Sequence, residues 1–320
     1  MRVCVTGGTG FVGARLVTAL RVRDMDVVVT TRRHDASTSG AEKFVVDLTD
    51  DTASLTGLFT GVSVVFHCAG EIKREQSMRQ LHVLGTGRLL AAVRARLLQE
   101  QTPLHWVQLS SVGAYGSTRK PCEVREINET TASAPKGEYE ITKTLADEML
   151  VAFAETEPLF SYTIVRPTNI IAEDMPNRSL RQLIGAVRRG HFFYIGNTPS
   201  ISTYVHVEDV VAALVLCGFV PGSRNQTFIV SNDCPLSDVI DSITSASERA
   251  PIRRRLPEWV VRVAACLMSR LPRFPLTAER INALVSRTSY SNGKIRAIGF
   301  CPVHAIPETI GRFANAWLKR

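Results

Sequence analysis

The sequence lacks the cysteine spacings that build disulfide frameworks or zinc sites. Its 320 residues include seven cysteines, an odd number, and no two of them are spaced as Cys-x-x-Cys. Disulfide-stapled domains carry even sets of cysteines, and structural zinc sites need closely paired ligands. We therefore expect reduced thiols, a cytoplasmic location and no bound metal.

Long hydrophobic segments are also missing. The longest apolar run, residues 210–220, has 11 residues, whereas a membrane-spanning helix needs about 20. Met1 runs directly into Val3-Cys4-Val5 without the charged leader of a signal peptide. We therefore expect neither a transmembrane segment nor secretion.

Clustered charge is scarce as well. The 38 basic and 30 acidic residues give a net charge of +8, but only Arg253-Arg254-Arg255 forms a run. Nucleic-acid binding would need a denser basic patch, so we do not expect a nucleic-acid partner. A positive balance still favours anionic partners such as a phosphorylated small molecule.

The first half of the chain alternates short apolar runs with amphipathic stretches. The pattern predicts strands over residues 2–6, 27–31, 43–46, 62–67, 104–109 and 162–166, and helices over residues 12–23, 77–98 and 138–155. This alternation is typical of an α/β fold with a doubly wound parallel sheet, the Rossmann architecture. We predict a nucleotide-binding core over residues 1–167. Residues 168–320 would be mostly a smaller substrate-binding lobe, with a segment of about 204–231 returning to the core.

A glycine-rich loop joins the first predicted strand to the first predicted helix. Gly7, Gly10 and Gly13 are spaced three apart. Glycines in this place let the backbone turn tightly and approach a pyrophosphate, which the helix N-terminus attracts. The loop predicts a dinucleotide site.

This spacing resembles the extended short-chain dehydrogenase/reductase family, the group of NAD-dependent epimerases and dehydratases. Further matches follow in the family's order over about residues 1–215, and they are Asp47-Leu48, His67-Cys68-Ala69-Gly70, Ser111, the Tyr139-x-x-x-Lys143 pair, Arg166-Pro167 and the segment from Tyr204 to Val210. The resemblance implies an NAD(P)-dependent oxidoreductase or epimerase. It implies cofactor contacts from Gly7, Thr9, Gly10, Phe11, Val12, Gly13, Arg32, Arg33, Asp47, Leu48, Ala69, Gly70, Tyr139, Lys143 and Pro167.

The catalytic residues implied by the resemblance are Ser111, Tyr139 and Lys143. Tyr139 and Lys143 are four residues apart on a helix, so they share one face. The Lys143 ammonium would lower the pKa of the Tyr139 phenol from about 10 toward neutral pH. Tyr139 could then exchange a proton with a carbonyl oxygen, which Ser111 would also hold, while hydride moves at the nicotinamide.

The residues after the second strand predict the choice of cofactor. NAD enzymes place an acid there for the ribose hydroxyls, and NADP enzymes place a cation for the 2′-phosphate. This chain has Arg32-Arg33-His34 and no acid before Asp35. We therefore expect NADP(H), with NAD as the alternative.

The substrate is less well defined by the sequence. Val112-Gly113 stands where sugar dehydratases of the family carry an Asp-Glu pair, so dehydration is not expected. A nucleotide-activated 4-keto sugar is the first candidate, although Ser202 stands where many sugar-nucleotide enzymes have an arginine. Candidate substrate contacts are His82, Asn169, Arg178, Arg181 and Arg188.

Three other functions remain open. They are a sugar-nucleotide epimerase that retains NAD, a reductase of a hydrophobic ketone resembling a dihydroflavonol or steroid, and a non-catalytic NADP-binding scaffold. A homodimer is the expected assembly. An apolar helix predicted over residues 259–271 would cover the substrate cleft or dock on a membrane or a partner.

Overall fold

The computed structural model describes residues 1–117, 122–175, 178–268 and 277–317. In chain order the strands are β1 (Arg2–Thr6), β2 (Asp26–Thr31), β3 (Glu42–Val45), β4 (Val62–His67), β5 (Leu104–Leu109), β6 (Val124–Ile127), β7 (Phe160–Pro167), β8 (Asn169–Ile171), β9 (Tyr194–Ile195), β10 (Ile201–Ser202), β11 (Tyr204–His206), β12 (Gln226–Val230), β13 (Cys234–Pro235), β14 (Arg255–Leu256) and β15 (Arg287–Tyr290). The α-helices are α1 (Phe11–Arg21), α2 (Glu75–Arg79), α3 (Thr86–Glu100), α4 (Glu138–Thr156), α5 (Arg178–Arg188), α6 (Val207–Phe219), α7 (Leu236–Ala246), α8 (Glu258–Met268), α9 (Ala278–Val285), α10 (Gly293–Ala297) and α11 (Ile306–Ala316).

Seven of the described strands form one parallel sheet in the order β12-β7-β5-β4-β1-β2-β3. The chain starts in the middle of this sheet at β1, builds outward to β3, and then crosses back to β4 on the other side. Ligands of doubly wound folds bind at this reversal, beyond the carboxyl ends of the strands. The predicted fold class is confirmed.

Both faces of the sheet are covered, which is why its strands are nearly all apolar. On one face, Val5, Val29 and Leu16 of α1 pack together with apolar residues of α6. On the other face, Leu89 of α3 packs against Trp106 and other buried residues. The C-terminal half contributes β12, which pairs with β7 at the sheet edge. A separate cluster joins α5, α7 and α11 beside the core.

One predicted helix differs from the structure. The helix expected over residues 77–98 is divided into α2, a π-helix at Gln80–Gly85, and α3. The π-helical segment turns His82 inward, where it is buried. At its end the chain lies so close to the Leu48 carbonyl that a Cβ on Gly85 would be 3.1 Å from that oxygen. A periodicity argument cannot detect this insertion, because the apolar spacing on both sides stays helical. The helix predicted over residues 259–271 is α8 as far as Met268, and residues 269–271 lie outside the described residues.

Candidate active site

The glycine-rich loop occupies the carboxyl end of β1, at the reversal of the sheet. Gly7 has φ +66°, and a Cβ there would lie 2.6 Å from the backbone nitrogen of Ala69. A Cβ on Gly13 would lie 2.2 Å from the Gly7 carbonyl oxygen. Only glycine fits at either position, because the neighbouring atoms are backbone that cannot move aside. The two glycines therefore hold the loop against the end of β4.

The N-terminus of α1 opens beyond this loop. Gly10 is the N-cap residue of α1 and, as a glycine, it makes no side-chain hydrogen bond to the first turn. That turn contains no acidic residue. The first turn thus presents unpaired backbone N–H groups and the positive end of the helix dipole. Thr9 is exposed next to Gly10, Phe11 is half-buried and Val12 is buried beneath the loop. The arrangement suits a diphosphate, as the glycine spacing predicts.

The residues expected around the adenosine lie at the ends of β2 and β3. Arg32 and Arg33 are exposed, and the Arg33 guanidinium lies 3.9 Å from the Asp35 carboxylate. The Asp47 carboxylate accepts hydrogen bonds from the backbone and the hydroxyl of Thr49. These bonds, and the nearby charge of Arg32, lower the pKa of Asp47. Leu48 is buried beside it. Two cations and one carboxylate thus surround this end of the site.

Tyr139 and Ser111 meet where α4 passes the end of β5. The Ser111 hydroxyl accepts the Gly113 N–H at 3.1 Å, which fixes its place at the start of a short 3-10 helix. Burial is the largest influence on Tyr139 and raises the pKa of its phenol, while a hydrogen bond with Ser111 acts in the opposite direction. The negative charge of Asp147 also raises the pKa of Tyr139. The expectation that Lys143 brings this pKa toward neutrality is wrong for this structure, because burial dominates. Tyr139 is therefore protonated at neutral pH.

Lys143 lies one turn further along α4 and is buried. Burial lowers its pKa, and the charges of Asp147 and of the Cys68 thiol counteract that effect. Among the described residues, no hydrogen bond is made by the Lys143 ammonium. A buried ammonium without a protein acceptor suits ribose hydroxyls as partners.

A buried ionic group behind Lys143 was not expected from the sequence. The Asp147 carboxylate accepts a hydrogen bond from the Ser110 hydroxyl at 2.7 Å and from the Arg166 guanidinium at 3.0 Å. Asp147 is 2% exposed, and Arg166 and Ser110 are buried as well. The group ties α4 to the ends of β5 and β7, next to Pro167. The signal was available, since Tyr139, Lys143 and Asp147 are spaced four apart on one helical face.

His82 is buried with both ring nitrogens hydrogen-bonded within the protein. Its Nε2 accepts the Glu71 N–H at 2.9 Å, and its Nδ1 lies 2.8 Å from the Thr142 hydroxyl. Because that hydroxyl donates to the Glu138 carbonyl, it accepts from Nδ1–H, and the ring is neutral. Burial, aided by the Lys143 charge, lowers the pKa of His82 to about 3. Gly70 lies beside this ring.

Among the described side chains, no contact links Asn169, Arg181 or Arg188 to Tyr139. The Asn169 amide donates to the Thr203 carbonyl at 3.1 Å. The Arg181 guanidinium stacks on the Trp317 ring, with 4.7 Å to its centroid. Arg188 is half-buried at the end of α5, and the side chain of Arg178 lies outside the described residues. Ser202 is buried in β10, where it pairs with Cys234.

No group of three or more potential ligands could hold a metal ion in the described ranges. No helix in the same ranges is long and apolar enough to cross a membrane.

Comparisons with known proteins agree with this geometry. Residues 3–218 match the family model of the NAD dependent epimerase/dehydratase family. The chain is 26% identical over 294 residues to the 4-hydroxy-2-methyl-3-oxo-4-farnesyl-3,4-dihydroquinoline-1-oxide ketoreductase of Stigmatella aurantiaca, covering 89% of this chain and 84% of that protein. It is 22% identical over 329 residues to the UDP-glucose 4-epimerase of Vibrio cholerae, covering 99% and 95%.

Solved structures share the fold of the chain. A short-chain dehydrogenase/reductase superfamily protein from Agrobacterium tumefaciens, with bound NAD, superposes with a TM-score of 0.75 at 21% identity and covers 100% of this chain and 98% of its own.

Proposed function

This chain belongs to the NAD dependent epimerase/dehydratase family, and on that premise we propose that it is an NADPH-dependent ketoreductase. The observation that carries the proposal is the protonated Tyr139 phenol, hydrogen-bonded with Ser111 and one helical turn from the buried Lys143. Tyr139 holds its proton at neutral pH and can therefore give it to a carbonyl oxygen, which is the step that ketone reduction requires.

The residues of the chain divide the chemistry between them. NADPH, when bound, supplies the hydride that reaches the carbonyl carbon. Tyr139 gives its proton to the carbonyl oxygen as negative charge develops there, and the Ser111 hydroxyl holds the same oxygen. Lys143 would hold the nicotinamide ribose, and its charge favours the tyrosinate that remains after proton transfer. The diphosphate would lie on the N-terminus of α1, which the glycine loop leaves open.

The preference for NADPH is proposed from the exposed Arg32 and Arg33. Two cations at the end of β2 suit a 2′-phosphate, and no carboxylate precedes them after the strand. Asp47 lies beyond them at the end of β3, where it is already bound by Thr49.

A nucleotide-activated keto sugar is the first candidate substrate. The relative that spans nearly all of this chain, from Vibrio cholerae, acts on a UDP-sugar by its name. The net charge of +8 favours such an anionic substrate. In the described part of α5, Arg188 is half-buried and is not stacked on an aromatic ring. It is therefore the cation that we propose for the diphosphate.

A hydrophobic ketone is the second candidate, and two observations favour it. Ser202 carries no positive charge at the position where many sugar-nucleotide enzymes have an arginine, and the Arg181 guanidinium is stacked on Trp317. Neither position therefore offers a cation to a diphosphate. The ketoreductase relative from Stigmatella aurantiaca acts on a farnesylated ring by its name.

The test uses the purified full chain and follows loss of NADPH absorbance. UDP-, GDP- and dTDP-linked 4-keto sugars are compared with a dihydroflavonol and a steroid ketone. With the preferred ketone, Tyr139→Phe should lower kcat by about 10²–10⁴-fold and leave NADPH affinity nearly unchanged. A Tyr139→Phe enzyme that keeps its kcat would contradict the mechanism. NAD retained through purification, with no net oxidation of NADPH by any ketone, would favour the epimerase instead.

A further inference from the structure

Helix α8 carries an apolar stripe on its outer face. Trp259, Val263 and Leu267 are 71%, 51% and 76% exposed. Their spacing of four residues places them within one strip of the helix surface. Val261 and Ala265 lie on the opposite face and are buried against the lobe. The helix is therefore held by one face while a second apolar face meets solvent.

Exposed cations precede this stripe closely in the sequence. Arg253 and Arg254 are exposed in the segment leading to α8, and neither has an ion pair with another described residue. Arg255 is held separately, because its guanidinium stacks on Tyr194 at 5.0 Å. The acid of the first turn, Glu258, is bound by Arg262 within the helix at 2.8 Å. No negative charge in α8 is thus left to neutralise Arg253 and Arg254.

We propose that the α8 stripe, defined as Trp259, Val263 and Leu267, docks on a bilayer surface containing anionic lipids. Tryptophan and aliphatic side chains enter the boundary between headgroups and acyl chains, while neighbouring arginines bind lipid phosphates. The exposed stripe is too short to span a membrane and suits attachment in the plane of the interface. The proposal does not depend on the proposed reductase activity.

The charges favour a bilayer over a second copy of the chain. A two-fold contact through the α8 stripe would bring the same patch of both copies together. Arg253 and Arg254 of both copies would then be brought to one interface, where their like charges would oppose the contact. An anionic surface instead lets the apolar and the charged parts bind together.

The test is co-sedimentation of the full chain with vesicles of phosphatidylcholine, alone or mixed with phosphatidylglycerol. We expect binding to the mixed vesicles, weaker binding at high salt, and a blue shift of tryptophan emission. Replacing Arg253 and Arg254 by alanine should weaken binding about five-fold per arginine. A Trp259→Ser, Leu267→Ser double variant should lose binding and the blue shift.

A matched control is Leu98→Ser, which removes an equally exposed apolar side chain from the end of α3. It should leave vesicle binding intact, and thermal unfolding should show that every variant is folded. Equal binding to both vesicle types, equal losses in the control and the α8 variants, or no binding to mixed vesicles would overturn the proposal. A change from dimer to monomer in the α8 double variant without lipid would overturn it as well, by assigning the stripe to a second copy.

Discussion

The ring of His82 meets the ring of Tyr139 edge to face, with centroids 5.7 Å apart and planes at 80°. The contact joins a neutral, fully hydrogen-bonded imidazole to the proposed proton donor. Since both nitrogens of His82 are engaged with Glu71 and Thr142, the ring cannot turn away from Tyr139 without losing those bonds. We therefore propose that His82 positions the phenol.

Substitution of His82 tests that role. His82→Leu leaves the Glu71 N–H without an acceptor, so we expect stability to fall by about 1–3 kcal/mol and kcat to fall about ten-fold, the size of one lost orienting contact of about 1.4 kcal/mol. His82→Asn keeps an amide oxygen that can accept the same N–H, so it should restore most of both losses. The measurements are urea unfolding and steady-state kinetics at saturating NADPH. Equal kcat for the two variants would argue against positioning.

The sequence predicted the sheet and the helix that carries Tyr139 and Lys143. It did not predict the buried side-chain contacts that hold this helix in place. Strand and helix alternation, the glycine spacing and the Tyr139–Lys143 pair are local patterns, so they can be recognised one segment at a time. The contact of Asp147 with Arg166 joins residues 19 apart, and that of His82 with Thr142 joins residues 60 apart. Such pairs depend on how elements pack, which no periodicity encodes.

The same limit applies to the expected substrate residues, because their positions also depend on how the elements pack. The arginines of α5 are three and seven residues apart along the helix, and spacing alone did not tell which side they face. The structure places Arg181 against Trp317, a residue far along the chain. The raised pKa of Tyr139 was likewise not predictable, because it comes first from burial, which depends on how the elements pack.

The cofactor preference should disappear when Arg32 and Arg33 are removed. A charge-assisted contact with a 2′-phosphate is worth about 1.5–3 kcal/mol, or about ten-fold or more in affinity. Arg32→Ala with Arg33→Ala should therefore weaken NADPH binding by at least that factor and leave NADH binding nearly unchanged. Titration of both nucleotides by calorimetry measures this. Lys43→Ala is the control, because that exposed lysine of β3 bonds the His34 carbonyl near the site. Equal affinity of the wild-type chain for NADPH and NADH would contradict the assignment.

Acid should destabilise the chain through His105. Its ring is buried, with Nδ1 2.8 Å from the Ser161 hydroxyl and Nε2 3.1 Å from the Cys217 carbonyl. Burial lowers its pKa to about 4, against about 6.5 in an unfolded chain. Between these values the unfolded chain binds more protons, so the free energy of unfolding falls as the pH drops from 6.5 to 4. At pH 5 the loss is about 2 kcal/mol.

The pH dependence of stability is measured by urea unfolding at pH 7 and pH 5. His105→Asn should shrink the difference between the two pH values by about 2 kcal/mol, although it lowers stability at both. His191→Asn changes an exposed histidine and should leave the difference as it is. An unchanged difference in the His105 variant would rule out this histidine as the source.

The charge of Asp147 should set the alkaline limit of activity. In ketone reduction Tyr139 must be protonated, so the rate falls as the pH rises through its pKa. Asp147 raises the pKa of both Tyr139 and Lys143. Asp147→Asn keeps the shape but removes the charge, so the pKa of each group falls. The alkaline limb of kcat should therefore move to lower pH.

The experiment compares pH profiles of kcat for the wild-type chain, Asp147→Asn and Ser110→Ala. The last variant removes the hydroxyl that bonds Asp147 at 2.7 Å but keeps the carboxylate, so its alkaline limb should move much less than that of Asp147→Asn. Loss of the buried partner of Arg166 should also cost about 3–5 kcal/mol of stability, so the profiles are taken at a temperature where unfolding measurements show all three proteins folded. If Asp147→Asn lowers kcat equally at every pH, its carboxylate only supports the fold. If its alkaline limb moves while that of Ser110→Ala moves much less, the charge acts on the proton donor itself.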